Sequence, residues 1–200
     1  NDNLPDSFSI DRRTVARIQK DAIAKYRPQL VVWYSSREKF GFCTDPTKLG
    51  CADPAQFYAS GTPQHHLRME EGLRAAADRL TAGGARLVIV LPPERGPSTS
   101  GSCINATATG CSQDPAEIAS VEWLRSAYQA LAAERPSTVA VIDVKPDLCP
   151  DFDPVTGCEA LFRDGVLVRY DGVHLDQTQE QWFVGSIFSK IAALPAGFMP

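Results

Sequence analysis

The chain has 200 residues, 44% of them hydrophobic and 22% charged, and carries a formal net charge of −4. That is ordinary for a soluble globular protein and long enough for one domain with a sizeable core, so residues 1–200 read as a single domain. No Lys/Arg-rich block points to nucleic acid or an anionic membrane, no apolar run reaches the roughly 18 residues of a membrane span, and no signal peptide is visible, as expected for a mature or excised piece.

Residues 1–10 form a polar tail that runs into the first helix-period segment, "DRRTVARIQKDAIAKY" (11–26), with Val15, Ile18, Ala22 and Ile23 on one face and Ser9 or Asp11 placed to cap it. "LVVWYS" (30–35) is the first of three nearly continuous apolar runs; "RLVIVLP" (86–92) and "TVAVIDV" (138–144) are the others. Runs of this kind suit strands buried on both faces of a parallel sheet. Helix-period segments separate them: "HHLRMEEGLRAAADRLTAGG" (65–84), ending in Gly-Gly, and "DPAEIASVEWLRSAYQALAAERP" (114–136). "QTQEQWFVGSIFSKIAAL" (177–194) closes the pattern. Strands alternating with helices predict a three-layer α/β/α sandwich around a parallel sheet.

Six cysteines fall as three local pairs, Cys43 and Cys51, Cys103 and Cys111, Cys149 and Cys158. Each segment is short, turn-rich and ends in Gly-Cys, which favours nearest-neighbour disulfides; the spacings are wider than the Cys-x2–4-Cys of most zinc sites, so no metal is expected. Disulfides imply an extracytoplasmic setting: periplasm, cell surface or secreted. Each pair follows one strand, so the loops fall at the carboxyl edge of the sheet, where open α/β sheets bind ligands. They either brace a site there or simply pin long surface loops. His65 and His66, at a helix start after "GTPQ", read as solvated cap residues rather than ligands.

The sharpest motif is "VRYDGVHLD" (168–176), in which Asp171 stands three residues before His174 and Gly172 lets the chain turn between them. An acid so placed orients a general base, and such a base serves a nucleophile. The block resembles the closing motif of SGNH/GDSL hydrolases. Among them, the extracytoplasmic domains at the C-terminus of acyltransferase-3 membrane proteins are most similar, through "KYRPQLVVWYSS", "RLVIVLPP" and "VIDVKPDLCP…GC". The resemblance covers about residues 11–194 and implies an SGNH/flavodoxin-like fold and a Ser-His-Asp triad, with His174 as base and Asp171 as its orienting acid. It implies O-acyl transfer or ester hydrolysis on carbohydrate or cell-envelope glycan, no cofactor, and a membrane acyltransferase domain in the same parent protein.

The sequence departs from that family at the nucleophile, because it has no Gly-Asp-Ser block. The nearest text, "LPDSFS", offers Ser7, with Pro5 in place of the glycine and no strand before it. At the end of the first strand, Ser35 and Ser36 stand where the family places oxyanion donors, and Arg37 is available to an anionic substrate group. The alternative is a catalytically inactive SGNH-like module that binds glycan or protein. With the family's first strands missing, 30–35 would be an open apolar edge, so a missing segment, a partner chain or another part of this chain is expected to cover it.

Overall fold

The computed structural model describes residues 12–35, 42–43, 57–94, 96, 115–154, 157–159, 161–169 and 174–199. In chain order these form α1 (Arg12–Tyr26), β1 (Leu30–Tyr34), β2 (Phe42–Cys43), β3 (Phe57–Tyr58), α2 (Pro63–Leu80), β4 (Arg86–Leu91), α3 (Pro115–Glu134), β5 (Val139–Asp143), α4 (Lys145–Leu148), β6 (Phe162–Arg163), β7 (Val166–Leu167) and α5 (Glu180–Ala192), the last preceded by a 3-10 turn at Gln177–Gln179.

β1, β4 and β5 make a parallel sheet in the order β1-β4-β5, with Trp33 opposite Ile89 and Val90 opposite Ile142. β4 is central, and Leu87, Val88, Ile89 and Val90 have no exposed surface. Alternation along the strand divides its side chains between two cores. Leu87, Ile89 and Leu91 pack with Leu73, Ala77 and Leu80 of α2 and Leu124, Tyr128 and Leu131 of α3. Val88 and Val90 pack on the other face with Phe183 and Ile191 of α5, Leu148 and Val168. Helices on both faces of the sheet make the three-layer α/β/α arrangement expected from the sequence. No described helix is long and apolar enough to cross a membrane.

Local chemistry sets the helix ends. Thr62 caps α2: its Oγ1 accepts the backbone N–H of His65 at 3.2 Å, and Pro63 fills the first position, where an N–H would go unused. Beyond the other end, Gly83 and Gly84 take φ values of 83° and 90°, a left-handed backbone that halts the chain where the Gly-Gly signal predicted. On α3, Ile118, Val121, Leu124, Tyr128 and Leu131 recur at helical spacing and are buried, and Tyr128 meets Trp33 of β1 edge-to-face at 5.7 Å between ring centres.

One expectation needs correction. The inward side of α1 is narrower than the apolar pattern suggested: Ile23 packs on the core, but Val15 and Ile18 stay 40% and 51% exposed. Gln19, which accepts from Arg79 of α2, takes part of the interface instead. Among the described residues, β1 pairs only with β4 and forms the edge of the sheet, with Val32 43% and Tyr34 51% exposed. Sequence patterns also missed the small pieces: the two-residue pair β2-β3, the single-turn α4, and the hairpin β6-β7.

Candidate functional site at the carboxyl edge of the sheet

Because β1, β4 and β5 run parallel, their carboxyl ends lie on one side, and four chain segments meet there. Ser35, half-buried, follows β1. Glu94 follows β4, α4 follows β5, and residues 161–169 and 174–176 come back across the same edge.

That last segment is built from the hairpin upward. Asp164 (φ 53°) and Gly165 (φ 78°) form the two-residue turn between β6 and β7, left-handed at both positions as the favoured tight hairpin turns require. The pairing continues: Val168 N–H donates to Leu161 O at 2.9 Å, Asp176 N–H donates to Val168 O at 2.9 Å, and Arg169 bridges Leu175. His174 therefore sits one residue before a fixed point, and its side chain is exposed. On its C-terminal side, Asp176 Oδ1 accepts from the backbone N–H of Thr178 at 2.9 Å and from its hydroxyl at 2.5 Å. These bonds hold the Asp176 carboxyl below the usual range and cap the turn that leads into α5.

Arg169 ties this segment to the sheet. It is buried, and its guanidinium forks between two main-chain carbonyls, Glu94 O at 2.5 Å and Leu148 O at 3.0 Å. Cys158 Sγ lies 3.7 Å from the same Glu94 carbonyl. This is a contact only, since that sulfur is bonded to Cys149 and carries no proton. Tyr34, at the carboxyl end of β1, packs its ring 6.0 Å from that of Phe183 in α5. Although half of Tyr34 is exposed, desolvation raises its phenol above the ordinary range, against the nearby charge of Arg169. The end of β1, the Arg169 anchor and the start of α5 are thus neighbours.

A charge network missed by sequence reasoning lies beneath the edge. Glu94 is completely buried, and its Oε1 meets Lys145 Nζ at 2.6 Å. Lys145 also reaches Glu122 at 2.8 Å and lies over the Phe152 ring. Arg125 pairs with Asp143 through two bonds, 3.1 and 2.7 Å, and donates to Pro92 O. Burial, and then the neighbouring Glu122, push the Glu94 carboxyl up against the pull of Lys145. Burial also pushes Asp143 up, but the Arg125 fork, the Lys145 backbone N–H and both cations outweigh it and leave that carboxyl low. The signal was present in "LPPERG" and "IDVKPD": a charged residue two or three positions past each of these two apolar strands, on the edge where open α/β sheets bind ligands. Glu94 and the sulfurs of Cys149 and Cys158 lie within 4.8 Å of one another. With the sulfurs joined and the carboxylate on Lys145, they form a structural cluster rather than a ligand set.

Of the residues singled out by sequence, the structure places His174 and Ser35 at this edge. Ser7, Ser36, Arg37 and Asp171 lie outside the described residues. The Cys149–Cys158 disulfide is formed, and it follows the third strand at the carboxyl edge; the other two cysteine pairs include residues outside the described set. His65 and His66 are not solvated caps. His65 is fully buried with its ring 5.6 Å from that of Trp123, and His66 stacks on Trp123 at 4.0 Å and 6°. Burial, and then the charge of His65, lower the His66 pKa against Glu70. Packing on α3 accounts for both rings, which the local sequence at a helix start does not reveal.

The family model of SGNH domains fused to AT3 domains matches residues 12–182, a span that holds the sheet, the charge network and the Asp-x-x-His block. Comparison with curated proteins gives no match. With its parallel sheet between helical layers and His174 standing at the carboxyl edge, the chain belongs to the family of SGNH domains fused to AT3 domains.

Proposed function

We propose that this domain acts outside the cytoplasm in O-acyl transfer or ester hydrolysis on carbohydrate or cell-envelope glycan. The observation that carries the reading is an exposed imidazole, His174, on an anchored segment at the ligand edge of an SGNH-family sheet. The disulfide supports the extracytoplasmic setting, and the fusion habit of the family supports a membrane acyltransferase domain in the same parent protein.

In this reading His174 removes the proton from a serine hydroxyl, and the serine oxygen attacks the ester carbonyl. Asp171 orients the imidazole and stabilises its charged form. Backbone or hydroxyl donors at Ser35 and Ser36 bind the developing oxyanion, and Arg37 takes an anionic group of the substrate. The leaving alcohol takes the proton back from His174, and the acyl group passes to water or to a glycan hydroxyl. The serine comes from a Gly-Asp-Ser block of the parent polypeptide, with Ser7 as the weaker candidate. No cofactor enters this scheme.

The test is p-nitrophenyl acetate hydrolysis by the parent protein. We expect His174→Ala to lose about 10²–10⁴-fold in kcat, and Asp171→Asn to be similarly impaired. Equal rates for wild type and His174→Ala would remove the catalytic reading. The absence of Gly-Asp-Ser from the 200 residues favours a second one, a non-catalytic glycan- or protein-binding module. It would then be supported by glycan binding that survives His174→Ala.

A further inference from the structure

We infer that Arg169 is a positioning residue that sets where His174 stands relative to the carboxyl ends of β4 and β5; this rests on the role proposed for His174. Three observations converge on it. Leu175, the neighbour of His174, is bridged to Arg169, which ties the His174 backbone to the arginine backbone. The guanidinium of the same residue bonds Glu94 O, just past β4, and Leu148 O, the last residue of α4 after β5. These two carbonyls flank the disulfide: Leu148 precedes Cys149, and Cys158 touches Glu94.

Burying a guanidinium is costly, and one that bonds main-chain carbonyls holds its place only because its planar fork matches both acceptors at once. Lysine, a single-point donor on a flexible stem, keeps the charge but cannot span the two carbonyls in the same way. The carbonyls belong to the rigid sheet side, whereas the bridge belongs to the hairpin side. Beside the apolar packing of Val168 in the core of Val88 and Val90, Arg169 is thus a hydrogen-bonded connection through which the geometry of the sheet reaches His174. A displacement of about 1 Å at a reacting group can cost on the order of 100-fold in rate without loss of the fold.

The chain contains three histidines, so the His174 ring can be followed by NMR against two internal controls, His65 and His66, on the opposite side of the sheet. We expect Arg169→Gln to shift the His174 ring signals and to speed amide exchange at Val168 and Asp176 about tenfold relative to the β4 amides. His65 and His66 should keep their signals, and Arg169→Lys should fall between. In the parent protein, kcat should fall about 10- to 100-fold with KM within about twofold. Unchanged His174 signals in a folded variant, or equal movement of all three histidines, would overturn the inference; if Arg169→Gln does not fold, Arg169→Lys decides by the same signals. If His174→Ala retains full activity, the enzymatic reading fails, and the ring shift still decides the role of Arg169.

Discussion

Glu94 has two separate tasks: its carbonyl receives Arg169, and its carboxylate, fully buried, is held by Lys145. A buried carboxylate stripped of its partner is among the costlier defects a fold can carry, so Lys145→Met should destabilise by about 3–5 kcal/mol at pH 8. The sign of its pH dependence follows from the raised Glu94 pKa. An acid with a raised folded pKa weakens the fold when ionised, above its unfolded pKa, and ceases to do so as pH falls and it takes a proton. Chemical denaturation should therefore show a smaller loss for Lys145→Met at pH 5 than at pH 8; an equal or larger loss at pH 5 would contradict this account. At the residue scale, legibility in the sequence was uneven. Asp171 and His174 stood out because three-residue spacing and Gly172 make a local signature. Glu94, Lys145, Arg125 and Arg169 did not, because their partners lie 18 to 75 residues away in the chain. The His65 and His66 environment depends on Trp123 in another helix, so no local pattern reveals it.

Among the elements, the four long helices followed from periodicity, since each is long enough to repeat its pattern several times, and the three sheet strands followed from their nearly continuous apolar runs. Two-residue strands cannot repeat anything, and so β2, β3, β6 and β7 were invisible, although Asp164-Gly165 between β6 and β7 is a hairpin signal that could have been used. β1 illustrates a different limit. Its apolar run gave its type correctly but not its neighbours, and among the described residues its outer side is unpaired. An apolar strand edge is a template for pairing with another chain. We expect this chain to associate with rising concentration in sedimentation experiments, and Val32→Lys to weaken that association. The same substitution, at a partly exposed position, should change stability by no more than about 0.5 kcal/mol. Concentration-independent sedimentation of the wild-type chain would show that the edge does not act as a template.

For the molecule as a whole, the Cys149–Cys158 link is the covalent constraint at the site edge among the described residues, and both of its cysteines are buried. With nine residues of sequence separation, loop closure of this size contributes about 2–3 kcal/mol. The paired substitution Cys149→Ser with Cys158→Ser should lower stability by that amount in denaturant titrations. It should also loosen the Arg169 contact at Glu94, since Cys158 packs on the same carbonyl. A loss below about 0.5 kcal/mol would mean that the bridge between Asp153 and Gly157 holds its ends together unaided.

The strands stand in the sheet in the order in which the ribosome would deliver them, β1 then β4 then β5. β4 can therefore add to β1, and β5 to β4, as each emerges. Arg169 can close its fork only after Glu94 and Leu148 are both in place. The fork therefore needs β4 and α4 in place before it can hold the segment that bears His174.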